Sequence, residues 1–360
     1  MGYTSTDRVL AVLNGEIPDR VPIFEYLIHE GVFDRLGFPN IPVGDAEMYL
    51  KACAKCLDIC HPWIGAPFSP GETVHADGSR SVIERWMTWE LPPPPVTLTE
   101  EFMLRRLKSR IEELEVGRQT PDYNRLLADK KHRDAYTGEM MYISIGAGCS
   151  LPYDNTEASI LLYADNPELV EYKINLENKL ALEYYQAIAY PELSPVAIIW
   201  VDIAYKNRLF YPPEILKRLF YPQLREMCGL FHSRGIKVIF HSDGDVKEAL
   251  PDLVKCGIDG FNPLEITSGM DLISFKHDYG KQVAIVGGLD AVAVLAHGSV
   301  DHVVNETKRL IDIGGAGGGL IAGSASGQID DSMPTENVMA FYETVWEYGR
   351  YGVKKMGIKK

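Results

Sequence analysis

The stretch KVIFHSDGDVKEALPDLVKCGIDGFNPLE, from Lys237 to Glu265, decides the fold. Its short apolar beginning predicts a buried strand, and an imidazole and two carboxylates follow at once, at His241, Asp243 and Asp245. A helical pattern then leads to a second short strand that ends just before Glu265. Polar side chains therefore stand where two neighbouring parallel strands end, which is where α/β folds carry their chemistry.

The same alternation of apolar strands and helical patterns extends outward along the chain. Short apolar segments predict about eight strands, near residues 21, 58, 141, 197, 237, 258, 282 and 318. Eight strands alternating with helices predict an α/β fold, a (β/α)8 TIM barrel with insertions, as a single domain over residues 1–360. A doubly wound sheet is the alternative, but the phosphate-binding fingerprint that usually follows its first strand is missing.

One segment, at about 73–95, is predicted to be an insert in the barrel. It contains Asp77-Gly78 followed by SVIERWMTWEL, and its aromatic and β-branched content predicts a projecting hairpin. The sequence LPPPP then ends the hairpin with a stiff, extended stretch.

Composition and charge narrow the class of protein. The 360 residues are 46% hydrophobic and 24% charged, which is ordinary globular composition. The net charge, 36 − 50 = −14, argues against a nucleic-acid partner. No apolar run is long enough to span a membrane, and the first residues are too polar for a signal peptide. Six cysteines suit a reducing compartment, so we expect a cytoplasmic protein.

Three of those cysteines, Cys53, Cys56 and Cys60, form a CxxCxxxC pattern that invites a metal interpretation. The same spacing places all three on one face of a helix, where small cysteines fill a core. No second pair completes a zinc or iron–sulfur set, which favours packing.

A glycine-rich loop, Gly146 to Ser150, follows a predicted strand. It has neither the GxGxxG spacing nor the GK[ST] ending of phosphate-binding loops. We expect it to let a ligand approach the backbone, with Gly146 and Cys149 as substrate-binding candidates.

The predicted barrel gathers an acidic set with one imidazole at one rim: Glu25, Asp202, His241, Asp243, Glu265, Asp290 and the segment Ser324–Ser326. In one interpretation His241, Asp243 and Glu265 bind a divalent ion, with zinc preferred over iron or manganese. Residues 241 and 243 point to the same side because they are two apart on a strand. In the other interpretation Asp243 to Asp245 is only a turn and helix cap, and His241 is a core histidine.

Four segments resemble the uroporphyrinogen decarboxylase superfamily, and within it the corrinoid-dependent methyltransferase branch. They cover most of the chain in order: RVLAVLNGEIPDRVP (8–22), ADNPELVEYKI (164–174), HSDGDVKEALPDLVKCGIDGFNPLE (241–265) and GGLIAGSASGQIDDSMPTENVMAFYETV (318–345). The resemblance implies a (β/α)8 barrel, in agreement with the strand count.

Two departures from the family pattern bear on function. The decarboxylases carry paired arginines after the first strand, whereas FEYLIHEGVFDRLG (24–37) has only Arg35. Thiol-methylating relatives bind zinc with His, Cys and a late Cys, whereas this chain has Asp243 and, at the late position, Ser324-Ala325-Ser326. Carboxylate ligands make a harder site, which suits an oxygen substrate rather than a thiol.

The resemblance therefore implies a zinc-dependent methyltransferase that takes a methyl group from an oxygen, such as that of an aryl methyl ether. The acceptor would be the Co(I) centre of a corrinoid (cobalamin) carried by a partner protein, as in O-demethylation systems. Asp202 and Tyr205 are the candidates to protonate or orient the leaving oxygen, and Glu25, Gly146, Cys149, Ser324 and Ser326 the candidates to line the substrate pocket.

Several alternatives stay open at this point. They are a methylcorrinoid:thiol methyltransferase, a cofactor-free decarboxylase and a silent barrel that only binds a corrinoid protein or tetrapyrrole. The sequence fixes neither the small-molecule methyl donor nor the metal. Barrels of this size often pair, which leaves a homodimer open.

Overall fold

The computed structural model describes residues 2–60, 65–94, 98–154, 156–325 and 328–352. Its strands are β1 (Ile59–Cys60), β2 (Gly71–Val74), β3 (Arg80–Ile83), β4 (Thr88–Leu91), β5 (Met141–Tyr142), β6 (Ile145–Ala147), β7 (Val196–Trp200), β8 (Ala204–Tyr205), β9 (Arg208–Leu209), β10 (Lys237–His241), β11 (Gly260–Asn262), β12 (Ala284–Leu289) and β13 (Leu320–Ser324).

Helices alternate with these strands. They are α1 (Ser5–Leu13), α2 (Glu30–Arg35), α3 (Ala46–Cys53), α4 (Glu100–Val116), α5 (Tyr123–Thr137), α6 (Glu157–Asp165), α7 (Pro167–Ile188), α8 (Pro213–Ile215), α9 (Tyr221–Ser233), α10 (Leu250–Cys256), α11 (Leu272–Asp278), α12 (Val300–Gly314) and α13 (Thr335–Tyr348). Among the described residues, no helix has the length and apolarity needed to cross a membrane.

The parallel strands close into a barrel. Six of them lie in the order β13-β12-β11-β10-β7-β6, and β5, two residues before β6, pairs with β1. The backbone at 23–24 fills the remaining gap. The Phe24 N–H donates to the Ala322 carbonyl at 2.9 Å on one side, and the Ile59 N–H donates to the Ile23 carbonyl at 3.1 Å on the other. These bonds complete the ring, so the predicted (β/α)8 barrel is confirmed.

The barrel strands read as continuous apolar runs because helices cover their outer face while side chains fill the interior. Every residue of β12 and of β13 is buried, and so are the first four of β7. Phe240, Phe261 and Ile285, on three successive strands, have no exposed surface. The strands predicted near residues 21, 58, 141, 197, 237, 258, 282 and 318 are all present at or within a few residues of those positions.

The end of the barrel where the strands begin is held by a buried ion network around Asp58. The guanidinium of Arg20 donates to both carboxylate oxygens of Asp58, at 2.6 and 2.7 Å. The Ile23 N–H and the Ser5 hydroxyl add hydrogen bonds of 3.0 and 2.8 Å. This network fixes the first strand of the barrel against α1 and β1.

The segment predicted as a hairpin insert is a sheet of three antiparallel strands, β2-β3-β4. The first turn is the expected one: Gly78 has φ +84° and Asp77 accepts a hydrogen bond from the Ser79 N–H. The third strand was not predicted. Pro95, at the end of the predicted insert, lies outside the described residues.

The cysteines at the start of the chain pack in the core. Cys53, Cys56 and Cys60 are each at most 2% exposed. Burial raises the pKa of the Cys53 and Cys56 thiols well above the usual range, which keeps them protonated and unreactive. Their burial agrees with the packing interpretation, but the single helix predicted for them is wrong. Helix α3 ends at Cys53, Cys56 lies in the turn that follows, and Cys60 is on β1.

Candidate active site

His241 and Asn262 form the foundation of the site at the carboxyl ends of β10 and β11, where they are paired in register. The Asn262 Nδ2 donates to the Val286 carbonyl at 3.0 Å, so its Oδ1 is left to accept. That oxygen lies 2.7 Å from the His241 Nδ1. The network therefore puts the ring proton on Nδ1 and leaves the Nε2 lone pair available to a metal ion.

Two carboxylates face that lone pair. One donor atom from each of Asp202, His241 and Asp243 lies within 4.8 Å of the others, the only such grouping in the part of the chain that the structure describes. The His241 Nε2 is 4.0 Å from the Asp202 Oδ1. Tetrahedral ligands about 2.1 Å from one ion are separated by about 3.4 Å, so small side-chain movements would bring these atoms onto a common cation.

Within this group of three donor residues, Asp243 is the one that a bound cation would stabilise most. Its Oδ1 is buried and has no hydrogen-bond partner among the described residues. Burial raises the pKa of the Asp243 carboxyl, His241 opposes the shift, and the carboxylates of Asp202 and Glu265 add to it. A divalent ion would both pair the orphaned oxygen and offset the repulsion between carboxylates.

The backbone brings Asp202 and Asp243 together. The Asp243 N–H donates to the Asp202 Oδ1 at 2.9 Å. Gly244 has φ +91°, and a Cβ there would lie 2.8 Å from the carbonyl groups of Ala204 and Tyr205. Only glycine allows this approach, so the loop after β10 can press against the segment after β7.

Glu265, which the sequence placed among the metal ligands, lies outside that donor group. Its Oε2 accepts the Gly244 N–H at 2.7 Å, and its Oε1 accepts the Thr267 hydroxyl at 3.2 Å. In the structure, Glu265 therefore braces the loop that carries Asp243. Asp290, another rim residue, caps the turn that follows it by accepting the N–H groups of residues 292 and 293 at 2.8 Å.

Glu25 and Ser324, both predicted to line the substrate pocket, bind each other. The Ser324 hydroxyl donates to the Glu25 Oε2 at 2.9 Å, and the Ser324 N–H donates to Oε1. Burial raises the pKa of the Glu25 carboxyl to about 8, while the hydrogen bonds from Ser324 and from the Tyr26 N–H oppose the shift. The pair joins the first and last strands of the barrel. Ser326 lies outside the described residues.

The glycine-rich loop is shaped by its protein neighbours. A Cβ on Gly146 would lie 2.3 Å from the Trp200 ring, and the Gly146 carbonyl accepts the Tyr185 hydroxyl. Cys149 packs against the core, and burial raises the pKa of its thiol to about 12. Gly146 therefore accommodates a tryptophan at the barrel mouth, and Cys149 is not poised to react.

A cavity of about 1450 Å³ opens beside Asp202. Tyr205 lines it from the β8–β9 hairpin, and more rings follow: Phe210 lies 6.0 Å from Tyr205, Tyr211 lies 6.3 Å from Phe210, and Tyr153 lies 4.9 Å from Tyr211. The rest of the wall comes from α4, α6 and α7, from residues 151–154 and 208–213, and from Glu248. Asp202 thus belongs both to the donor group and to an aromatic-walled cavity.

Two neighbours of His241 were missed from the sequence. Asn262 holds its Nδ1, and the ring of Tyr26 meets it edge to face with centroids 6.3 Å apart. Asn262 had a detectable signal, since it is a polar residue that ends a buried strand next to the one ending in His241. Tyr26 had none beyond its place after Glu25.

Comparisons with known proteins agree with this architecture. A sequence profile of the family described as Uroporphyrinogen decarboxylase (URO-D) matches residues 153–348. The solved structure of a methyltransferase from Methanosarcina mazei is similar with a TM-score of 0.61 and 18% identity, over 96% of this chain and 99% of that one. At that identity the likeness concerns the fold. No curated protein matches the chain. The profile covers more than half of the sequence, and the chain therefore belongs to the uroporphyrinogen decarboxylase family.

Proposed function

We propose that the protein is a zinc-dependent methyltransferase that removes a methyl group from an oxygen substrate, an aryl methyl ether, and transfers it to the Co(I) centre of a separate corrinoid protein. The observation that carries the proposal is the donor group at the barrel mouth, in which the His241 Nε2 is free and the Asp243 Oδ1 is buried without a partner. The fold likeness to a methyltransferase is consistent with it.

His241, Asp243 and Asp202 would hold the metal. One imidazole and two carboxylates are ligands that zinc accepts, and they leave a fourth position open. Because Asp202 also lines the cavity, that position would face it. Without thiolate ligands the site is hard, which favours an ether oxygen over a thiol as substrate. Glu265 would support the site through Gly244.

When bound, zinc supplies Lewis acidity toward the ether oxygen. The protein's own side chains position the metal-binding histidine and the substrate. Asn262 fixes the orientation of His241, and the rings of Tyr205, Phe210 and Tyr211 offer flat surfaces against which an aryl group can stack. The Tyr205 hydroxyl, on the same wall, can donate a hydrogen bond to the leaving oxygen, which needs one proton when the methyl group departs.

We infer that the corrinoid protein docks over the mouth of this cavity. The chain has no obvious cobalamin-binding motif of its own. Two aromatic side chains that line the cavity are exposed, Tyr205 at 57% and Phe210 at 36%. Exposed aromatic residues around a concave mouth are typical of protein-binding surfaces.

One observation favours the decarboxylase alternative. Cationic side chains line the cavity, and they could bind an acidic substrate. A decarboxylase without a cofactor would need a buried carboxyl acting alone. Asp202 does not meet that need, because its side chain is 53% exposed. Assaying carbon dioxide release beside methyl transfer separates the two activities.

The test begins with the metal content of the purified protein. We expect about one zinc per chain, lost in His241→Ala and kept in Lys206→Ala, a change in an exposed side chain near the site that does not line the cavity. Turnover of an aryl methyl ether with a Co(I) corrinoid protein should follow the metal. A wild-type protein that is metal-free and cannot be loaded with zinc would refute the mechanism.

A further inference from the structure

We propose that the aryl substrate carries a carboxylate and that Arg208 binds it at the wall of the cavity. The inference deepens the proposed function and rests on it, because it assigns a charge to the substrate of the same site. It starts from the charges around the cavity rather than from the donor group.

Four cationic side chains line the cavity, although the chain as a whole has a net charge of −14: Arg106, Arg110, Lys173 and Arg208. Three carboxylates, those of Asp154, Asp202 and Glu248, line the same cavity. The preference for an anion therefore depends on which of the four cations has no carboxylate partner of its own.

Three of the four already have protein partners. Arg106 on α4 is 3.7 Å from Asp77 of the three-stranded sheet. Arg110 on α4 and Lys173 on α7 share the single carboxylate of Glu177, at 3.3 and 3.4 Å. Arg110 also pairs with Glu113 at 3.1 Å. Three carboxylates therefore offset these three cations.

Arg208 differs from them. Among the described residues, no side chain or backbone oxygen forms an ion pair or hydrogen bond with its guanidinium. It lies on β9, paired in register with Tyr205 on β8, and both residues line the cavity together with Asp202. The short hairpin thus presents a guanidinium and a phenol to the same cavity as Asp202.

The chemistry of the wall favours an aromatic carboxylate. A guanidinium fork matches the two oxygens of a carboxylate in a planar, bidentate arrangement. A flat ring carrying that carboxylate can lie against Tyr211 and Phe210, which line the same cavity. Arg208 would then orient the ring with its ether end toward Asp202, so it is a positioning residue for the reaction.

The test compares the binding of para-methoxybenzoate and its neutral analogue para-methoxybenzamide by calorimetry. The zinc-loaded protein is used without a corrinoid partner, so binding is measured whether or not methyl transfer occurs. We expect the acid to bind about tenfold more tightly than the amide, the size of one charge-assisted hydrogen-bonded contact.

The variants Arg208→Gln, Arg208→Lys and Lys206→Gln complete the experiment. Arg208→Gln should abolish the preference for the acid, Arg208→Lys should keep part of it, and the control at Lys206, in the turn of the same hairpin, should keep all of it. Equal binding of acid and amide, a preference that survives Arg208→Gln, or binding of neither compound would each overturn the proposal. Acid-selective binding without turnover would refute the methyltransferase function and leave the carboxylate site standing.

Discussion

Replacing Asn262 with alanine tests whether the orientation of His241 creates the metal site. Asn262 is 3% exposed and joins two buried groups, the His241 Nδ1 at 2.7 Å and the Val286 carbonyl at 3.0 Å. Each group left without a partner costs about 1–3 kcal/mol, so Asn262→Ala should lower the free energy of unfolding by about 2–6 kcal/mol. The freed ring can also take the other tautomer, which occupies Nε2 with a proton.

The expected loss of zinc affinity is measured separately from the loss of stability. Loss of a group that holds a metal-binding histidine weakens metal affinity by about 10–100-fold. Competition with a chromogenic chelator measures the zinc Kd of the folded protein, and urea unfolding of the metal-free protein measures stability. Circular dichroism at the assay temperature shows that the variant is folded when the Kd is measured.

Asn337 provides a matched control. It is also 3% exposed, and its Nδ2 donates to the carbonyl groups of Leu295 and Gly298, both at 2.8 Å. Asn337→Ala should cost a similar free energy of unfolding and leave the zinc Kd unchanged. If the two variants bind zinc equally well, the hydrogen bond to Asn262 does not prepare His241 for a metal and the reasoning fails.

Three further outcomes follow from the structure. Asp202→Asn should weaken zinc binding by about a hundredfold or more and Glu265→Gln by only about tenfold, by the same competition assay; the reverse order would make Glu265 the ligand. Asp58→Asn should lower the free energy of unfolding by about 3 kcal/mol in urea, whereas a loss under 1 kcal/mol would show that its contacts with Arg20 resemble a surface pair. Because burial raises the pKa of Glu25 from 4.5 to about 8, its stabilising contribution is full below about pH 4.5 and is lost as the pH rises through 8. Glu25→Gln, which stays neutral, should therefore lose less stability than wild type between pH 6 and 9, and parallel urea curves for the two proteins would contradict this.

The strands of the barrel were predictable because parallel strands are buried on both faces and must be apolar throughout. The run from Val196 to Trp200 is an example, and so is the short strand that ends at His241. The third strand of the insert was missed. Its residues, Thr88–Leu91, pair with Arg80–Ile83 in antiparallel register, but no glycine or asparagine marks the turn between them.

From the sequence, a site residue could be placed only where it comes at the end of a predicted strand. His241, Asp243 and Asp202 follow neighbouring strands, so their meeting at one rim could be expected. The position of Glu265 depends on the positive φ of Gly244 and on which backbone N–H faces its carboxylate, and neither is visible in the pattern of residue types. Cys149 faces the core for a similar reason, because the loop after β6 turns outward toward α9.

The contact between Glu25 and Ser324 has a consequence for how the chain is made. These residues are separated by 299 positions, and the backbone beside them closes the barrel. At a synthesis rate of about 5–20 residues per second, the first strand leaves the ribosome about 15–60 s before its final neighbour exists. During that interval one edge of the strand has no native partner, so the nascent chain is open to wrong pairing for far longer than a barrel needs to close.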